Sequence, residues 1–225
     1  MKGHARMVAL LAALCTLAAG GEAQGETAPR GSLSAGMGVS YLAPKDIVAL
    51  VNVTAIPSER LSQFHAAGEF FGAAAYPLSQ RWMLKAEYAY LTWSTTVDGG
   101  YGQADFGLSV HMPSVILQYI IVDEGSFDVK CGAGGGYHFG SYSEKYSYLS
   151  GDSYTAKGPG FVLEMEANTA FGDHLEAFLG GNIRWSFIGT LTNAEGMVPG
   201  RNADGSAVTM NFFGAGARLG LSYFF

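Results

Sequence analysis

From about residue 30 to the last residue, apolar and polar side chains alternate with period two, the pattern of β-strands with two unlike faces. The final segment is the clearest: Phe213, Ala215, Ala217, Leu219, Leu221, Tyr223 and Phe225 alternate with Gly214, Gly216, Arg218, Gly220, Ser222 and Phe224. Comparable segments start near Leu33, Phe70, Trp82, Phe106, Phe127, Phe161 and Leu175, so the pattern predicts eight strands. Two are less regular. Phe71 shares a side with Glu69, and the apolar face that runs from Phe106 to Met112 resumes at Val115, one residue out of step. Pro113 sits at the change, and a bulge is expected there because proline cannot donate to a ladder.

The strands exceed the ~9–11 residues of a tilted membrane strand, whereas strands of soluble proteins are nearer 5–6. Short connections fall near 78–80, 123–126 and 172–174; longer polar ones span about 43–64, 98–104, 143–159 and 191–207. Short turns at one rim and long loops at the other predict an all-β, antiparallel up-and-down transmembrane barrel, with the long loops outside the cell and both termini periplasmic. The first long loop carries an apolar run, Ile47 to Val53, read as an extension of the first hairpin in preference to an apolar lip at the barrel mouth.

Energetics orient the faces. An Arg or Lys facing the bilayer midplane costs about 2–4 kcal/mol on a barrel surface. The strand charges therefore belong to a lumen network: Glu69, Arg81, Lys85, Glu87, Asp128, Lys130, Glu164, Glu166, Glu176, Arg184 and Arg218. Arg184 and Arg218 are expected to pair with Glu164, Glu166 and Glu176 on neighbouring strands. Aromatic residues cluster near the short-turn ends (Tyr76, Trp82, Tyr119, Phe171, Tyr223) and the long-loop ends (Tyr41, Tyr90, Trp93, Tyr137, Phe161, Trp185, Phe187), as expected for two interfacial belts.

Composition adds the compartment. The chain has 225 residues, 48% hydrophobic and 14% charged, and its 32 glycines follow no three-residue period, which excludes collagen. Past the N-terminus no apolar run approaches the ~20 residues of a membrane helix. Residues 1–23 read as a secretory signal: Lys2 and Arg6, then the apolar Met7–Ala19, then small residues before cleavage after Ala23. Cys15 is preceded by Leu14, where lipoprotein processing needs a small residue, so lipidation is rejected. Residues 24–225 form the barrel domain and keep one cysteine, Cys131, so no disulfide framework exists. An acidic chain, net charge −6, is a poor nucleic-acid binder, since that affinity comes from neutralising phosphate.

The last residues, Arg218-x-Gly220-x-x-Tyr223-x-Phe225, resemble the terminal β-signal recognised by the bacterial barrel-assembly machinery. With the strand pattern, the chain resembles the small eight-stranded outer-membrane barrels: the OmpA transmembrane domain, OmpX, OmpW and opacity-type porin-like proteins. The resemblance covers residues 30–225 and rests on architecture and this signal. It implies residence in the bacterial outer membrane, among lipid and lipopolysaccharide, with assembly by that machinery and long loops available to an extracellular ligand.

Site motifs are sparse. Gly132–Gly136 lies within a strand and no Lys-Ser/Thr follows it, so it is not a phosphate loop. The five histidines lack metal-ligand spacing, and no cofactor is expected. His138 and Ser141 fall on opposite faces of one strand; His111 and Ser109 share a face. Three readings remain open. The favoured one is a structural or surface-interaction barrel, because eight strands leave an interior that side chains can fill. A narrow conduit for small or hydrophobic solutes is second, and a lipid A-modifying enzyme third.

Overall fold

The computed structural model describes residues 31–54, 65–99, 102–147, 149–200, 202 and 205–225; residues 1–23, read above as a secretory signal, lie outside them. Eight antiparallel strands close into a barrel in sequence order: β1 (Ser32–Leu42), β2 (His65–Pro77), β3 (Trp82–Gly99), β4 (Gly102–Asp123), β5 (Phe127–Tyr146), β6 (Leu149–Ala170), β7 (Leu175–Ser186) and β8 (Phe212–Phe224). β8 closes on β1 through a ladder from Ser32↔Phe224 to Leu42↔Gly214, so no edge is left in the membrane section. Among the described residues no helix is long and apolar enough to cross a membrane; the strands cross it.

Leu33, Met37, Phe70, Leu84, Val115, Leu117, Leu179, Leu219 and Leu221 are exposed on the outer surface. Glu69, Lys85, Glu87, Glu164, Arg184 and Arg218 are buried inside. Aromatic rings bracket this band. Trp82 packs on Tyr119 at the short-turn rim, with ring centroids 4.9 Å apart. Tyr90, eight residues along β3 from Trp82, packs near His111 at the other boundary. At ~3.4 Å per residue that interval is about 27 Å of strand, close to the height of a lipid-facing band once tilt is allowed for.

Above that boundary the chemistry inverts. On β4 the inward face is Ser114, Ile116 and Gln118 within the membrane, but Met112, Val110, Leu108, Phe106 and Ala104 beyond it. At the same height the outward face changes from aromatic to hydroxyl-rich: Thr92, Ser94 and Thr96 on β3, Ser141 and Ser143 on β5. The upper third is thus built like a water-soluble barrel, apolar inside and polar outside. The interior faces lose their need for charge where lipid gives way to water.

This inversion explains where sequence expectations fail. No bulge occurs at Pro113, which pairs in register with Tyr88; the ladder slips instead near Ile121, between Ile120 and Val122. What looked like a register shift is the same inward row changing from apolar to polar. The segments 98–104 and 143–159 are not long loops but tips of hairpins whose strands reach 18 to 22 residues. Trp93 faces inward and packs on the upper apolar core, outside the interfacial belt.

The apolar run in the first loop is neither a hairpin extension nor a lip. It forms helix α1 (Lys45–Thr54), with Val48 N donating to Pro44 O in its first turn and Asp46 near its N-terminus, where a negative charge suits the helix dipole. Ile47, Leu50 and Val51 form a one-sided stripe buried with Leu42, Leu191, Val208, Met210 and Phe212. Asp46 ties the helix to the β7–β8 connection by accepting from Thr209 N (3.1 Å) and Oγ1 (2.7 Å). α1 is a plug in the barrel mouth opposite the short turns.

Candidate functional site

Below the apolar plug, the lumen is crossed by ion pairs centred on Glu87. Arg184 Nη2 lies 2.6 Å from Glu87 Oε1, and Arg218 Nη1 lies 2.6 Å from Glu87 Oε2. Lys85, two residues away on the same face of β3, is 3.3 Å from Glu87 and reaches β6 at Glu164 (2.7 Å) and Glu166 (2.6 Å). Glu69 on β2 completes the layer, at 3.5 Å from Arg184 and 3.4 Å from Arg218, while accepting from Ser40 Oγ at 2.5 Å. Gln118 bridges Glu164 and Glu166 from β4. The guanidinium of Arg218 lies 4.9 Å from the ring centre of Phe71, which leans on Phe178.

Each strand places its charge in the lumen because an odd–even alternation fixes side; closure then decides the partner. The two arginines of β7 and β8 reach across the lumen to β2 and β3, not to the neighbouring Glu166 and Glu176; Arg218 approaches β6 only at Glu164, 3.8 Å away. Cross-strand neighbours lie along the wall, whereas long side chains of a narrow barrel point to its axis and meet there. Both members of these pairs are buried, and removing one partner of such a pair costs about 3–5 kcal/mol.

The remaining charges named from sequence lie elsewhere. Arg81 sits in the β2–β3 turn and donates to Tyr119 Oη (3.2 Å), outside the lumen. Asp128 and Lys130 pair with each other at 3.3 Å, near the short-turn rim, with Asn168 on Asp128. With Glu176 and Asp123 they line a cavity of about 290 Å³ that opens at that rim. Of the residues whose pattern resembles a terminal signal, Arg218 is in the ion layer, Gly220 accommodates the Phe178 ring, and Tyr223 and Phe225 are exposed outside.

Where the ion layer meets the apolar plug, buried His138 bonds Ser186 through Nδ1 (2.9 Å). Its ring lies against Gly160, whose missing Cβ leaves the space it occupies. Sequence reasoning passed over both His138–Ser186 and the plug; only the register that aligns Gly160 with Ser186 brings the first together. His111 is on the outer surface, bonded through Nδ1 to Tyr88 Oη (2.5 Å). Among the described residues no three His, Cys, Asp or Glu side chains group as a metal site.

Outside the membrane, Glu144 and Asp152 face each other across the β5–β6 ladder, one inward position nearer the hairpin tip than Tyr142 and Tyr154. Burial, reinforced by the Asp152 carboxylate and only partly offset by the Tyr154 hydroxyl, pushes the Glu144 carboxyl above its usual range. The same burial pushes Tyr154 up to about 12, with Glu144 next in effect.

Solved structures share this architecture. Neisserial surface protein A matches over 89% of this chain and 100% of its own, with 13% identity and a TM-score of 0.52. Ail of Yersinia pestis matches over 88% and 100%, with 10% identity and a TM-score of 0.54. A major outer membrane protein of Thermus thermophilus matches over the same shares, with 13% identity and a TM-score of 0.54. The chain has the fold of the small eight-stranded outer-membrane barrels. The fold, with its apolar outer band and charged lumen, is that of proteins of the bacterial outer membrane. No protein-family model and no curated protein sequence matches it.

Proposed function

We propose that this outer-membrane barrel is a closed, structural and surface-presenting protein. The observation that carries this is the clamp of Arg184 and Arg218 on Glu87, each at 2.6 Å and nearly solvent-free, across the full width of the lumen. The apolar section above, filled by α1, supports it as a second and chemically different closure. Long hairpins held on such a base offer a rigid platform to partners outside the cell.

The test is electrical. The refolded protein in a planar bilayer should give no steady unitary conductance, and liposomes carrying it should not swell in small sugars. Steady conductance would reject the closed reading. A conduit for hydrophobic solutes is favoured by one feature alone, the apolar lining above the ion layer; it requires α1 to leave its seat. Uptake of an apolar fluorescent probe into the upper section of the native protein would support that alternative.

A further inference from the structure

The outer surface at the extracellular membrane boundary carries a row that neither the fold nor the lumen explains. Tyr90 on β3 is aligned with His111 on β4, His111 with Phe139 on β5, and Phe139 with Lys157 on β6. All four side chains belong to the outward face, and His111, Phe139 and Lys157 are exposed. With strands ~4.8 Å apart, His111 and Lys157 flank Phe139 at about 10 Å from each other, a gap the flexible lysine stem readily spans.

Three further features give the row a chemical sense. Immediately below it lie the exposed rings of Tyr88, Tyr137 and Phe161, with Pro113 and Pro159, a surface for acyl chains. Immediately above it the same strands present Thr92, Ser109, Ser141 and Thr155, a line of hydroxyl donors. The nearest outward carboxylate on these strands is Asp105, three outward positions above His111. Lys157 makes no ion pair among the described residues, in a chain whose net charge is −6. Tyr88 Oη is hydrogen-bonded to His111 Nδ1 and holds the ring; when the hydroxyl is the donor, a neutral imidazole carries its proton on Nε2.

We infer that His111 and Lys157, framed by Phe139 and the hydroxyl line above, form a binding site for the phosphate group of an outer-leaflet lipid. A soluble anion would not need the aromatic shelf below, whereas a phosphate attached to acyl chains must sit at this height. The cationic contribution of a lysine near an anionic lipid surface is worth about a fivefold gain in binding.

The experiment is native mass spectrometry of the refolded protein with diphosphorylated lipid A, the enzymatically dephosphorylated lipid, and inorganic phosphate. Wild type should retain the phosphorylated lipid at least about fivefold better than the dephosphorylated one. His111→Ala with Lys157→Ala should abolish that preference, Lys157→Gln alone should lower it, and Lys157→Arg should restore it. Lys145→Ala, higher on β5, should leave it intact. Heat-modifiable gel mobility reports folding, which these exposed substitutions should not alter. A preference absent from wild type, or surviving in the double variant, overturns the inference. So does equal loss in Lys145→Ala, which would mean general charge attraction, or displacement of the lipid by millimolar phosphate, which would mean a free-anion site.

Discussion

Replacing Arg218 with leucine tests the ion layer directly. In the native layer Glu69, Glu87, Glu164 and Glu166 face Lys85, Arg184 and Arg218. The substitution removes the 2.6 Å bond to Glu87, the 3.4 Å approach to Glu69 and the cation–π contact with Phe71, leaving four buried carboxylates and two cations. Removal of one partner from a buried pair costs about 3–5 kcal/mol, most of it the stranded charge. The companion Glu87→Gln should therefore cost less on the Arg218→Leu background than alone, a coupling of about 1–3 kcal/mol in a double-mutant cycle. Urea titration of protein refolded into vesicles, followed through Trp82, Trp93 and Trp185, measures both. Refolding in vitro separates stability from assembly, because Arg218 also belongs to the terminal motif. A loss below about 1 kcal/mol for Arg218→Leu would refute the reasoning, since a solvated lumen screens such pairs.

Three further outcomes follow from the extracellular section and the topology. Because the Glu144 carboxyl is held above its usual range by burial, its contribution to stability is present below the ordinary carboxylate range and is lost as pH rises through the folded value; Glu144→Gln should protect β5–β6 amides from hydrogen exchange at neutral pH and have no effect in acid, and the reverse order would contradict the burial argument. Val51→Asp places an unpaired carboxylate in the apolar plug, so exchange protection over α1 should fall while the barrel still conducts no ions; if current appears, the plug and not the ion layer is the seal. In a Cys131→Ser background, cysteines at Ser147 and Glu195 should label on intact cells while one at Ser79 should not, and equal labelling would reject the orientation.

Much of the architecture was legible in the chain because a β-strand's side-chain period is a local property. Odd and even positions sort to opposite faces whatever the partner, so Lys85, Glu87, Glu164, Arg184 and Arg218 could be assigned to the lumen, and Leu84, Leu179 and Leu219 to lipid, before any contact was known. The eight strands and their meander followed from the same alternation and the short turns. Three things belonged to the tertiary structure alone. The height at which lipid ends is set by the assembled barrel, so the exchange of polar and apolar faces at Met112 and Ser114 looked like a bulge, and strand tips looked like loops. Whether Ile47, Leu50 and Val51 coil into a helix depends on the apolar well that Leu42, Met210 and Phe212 line once β1 and β8 have closed. And Arg184 and Arg218 choose Glu87 over nearer sequence candidates because partner choice in a narrow lumen is made across the barrel axis, a distance only closure defines.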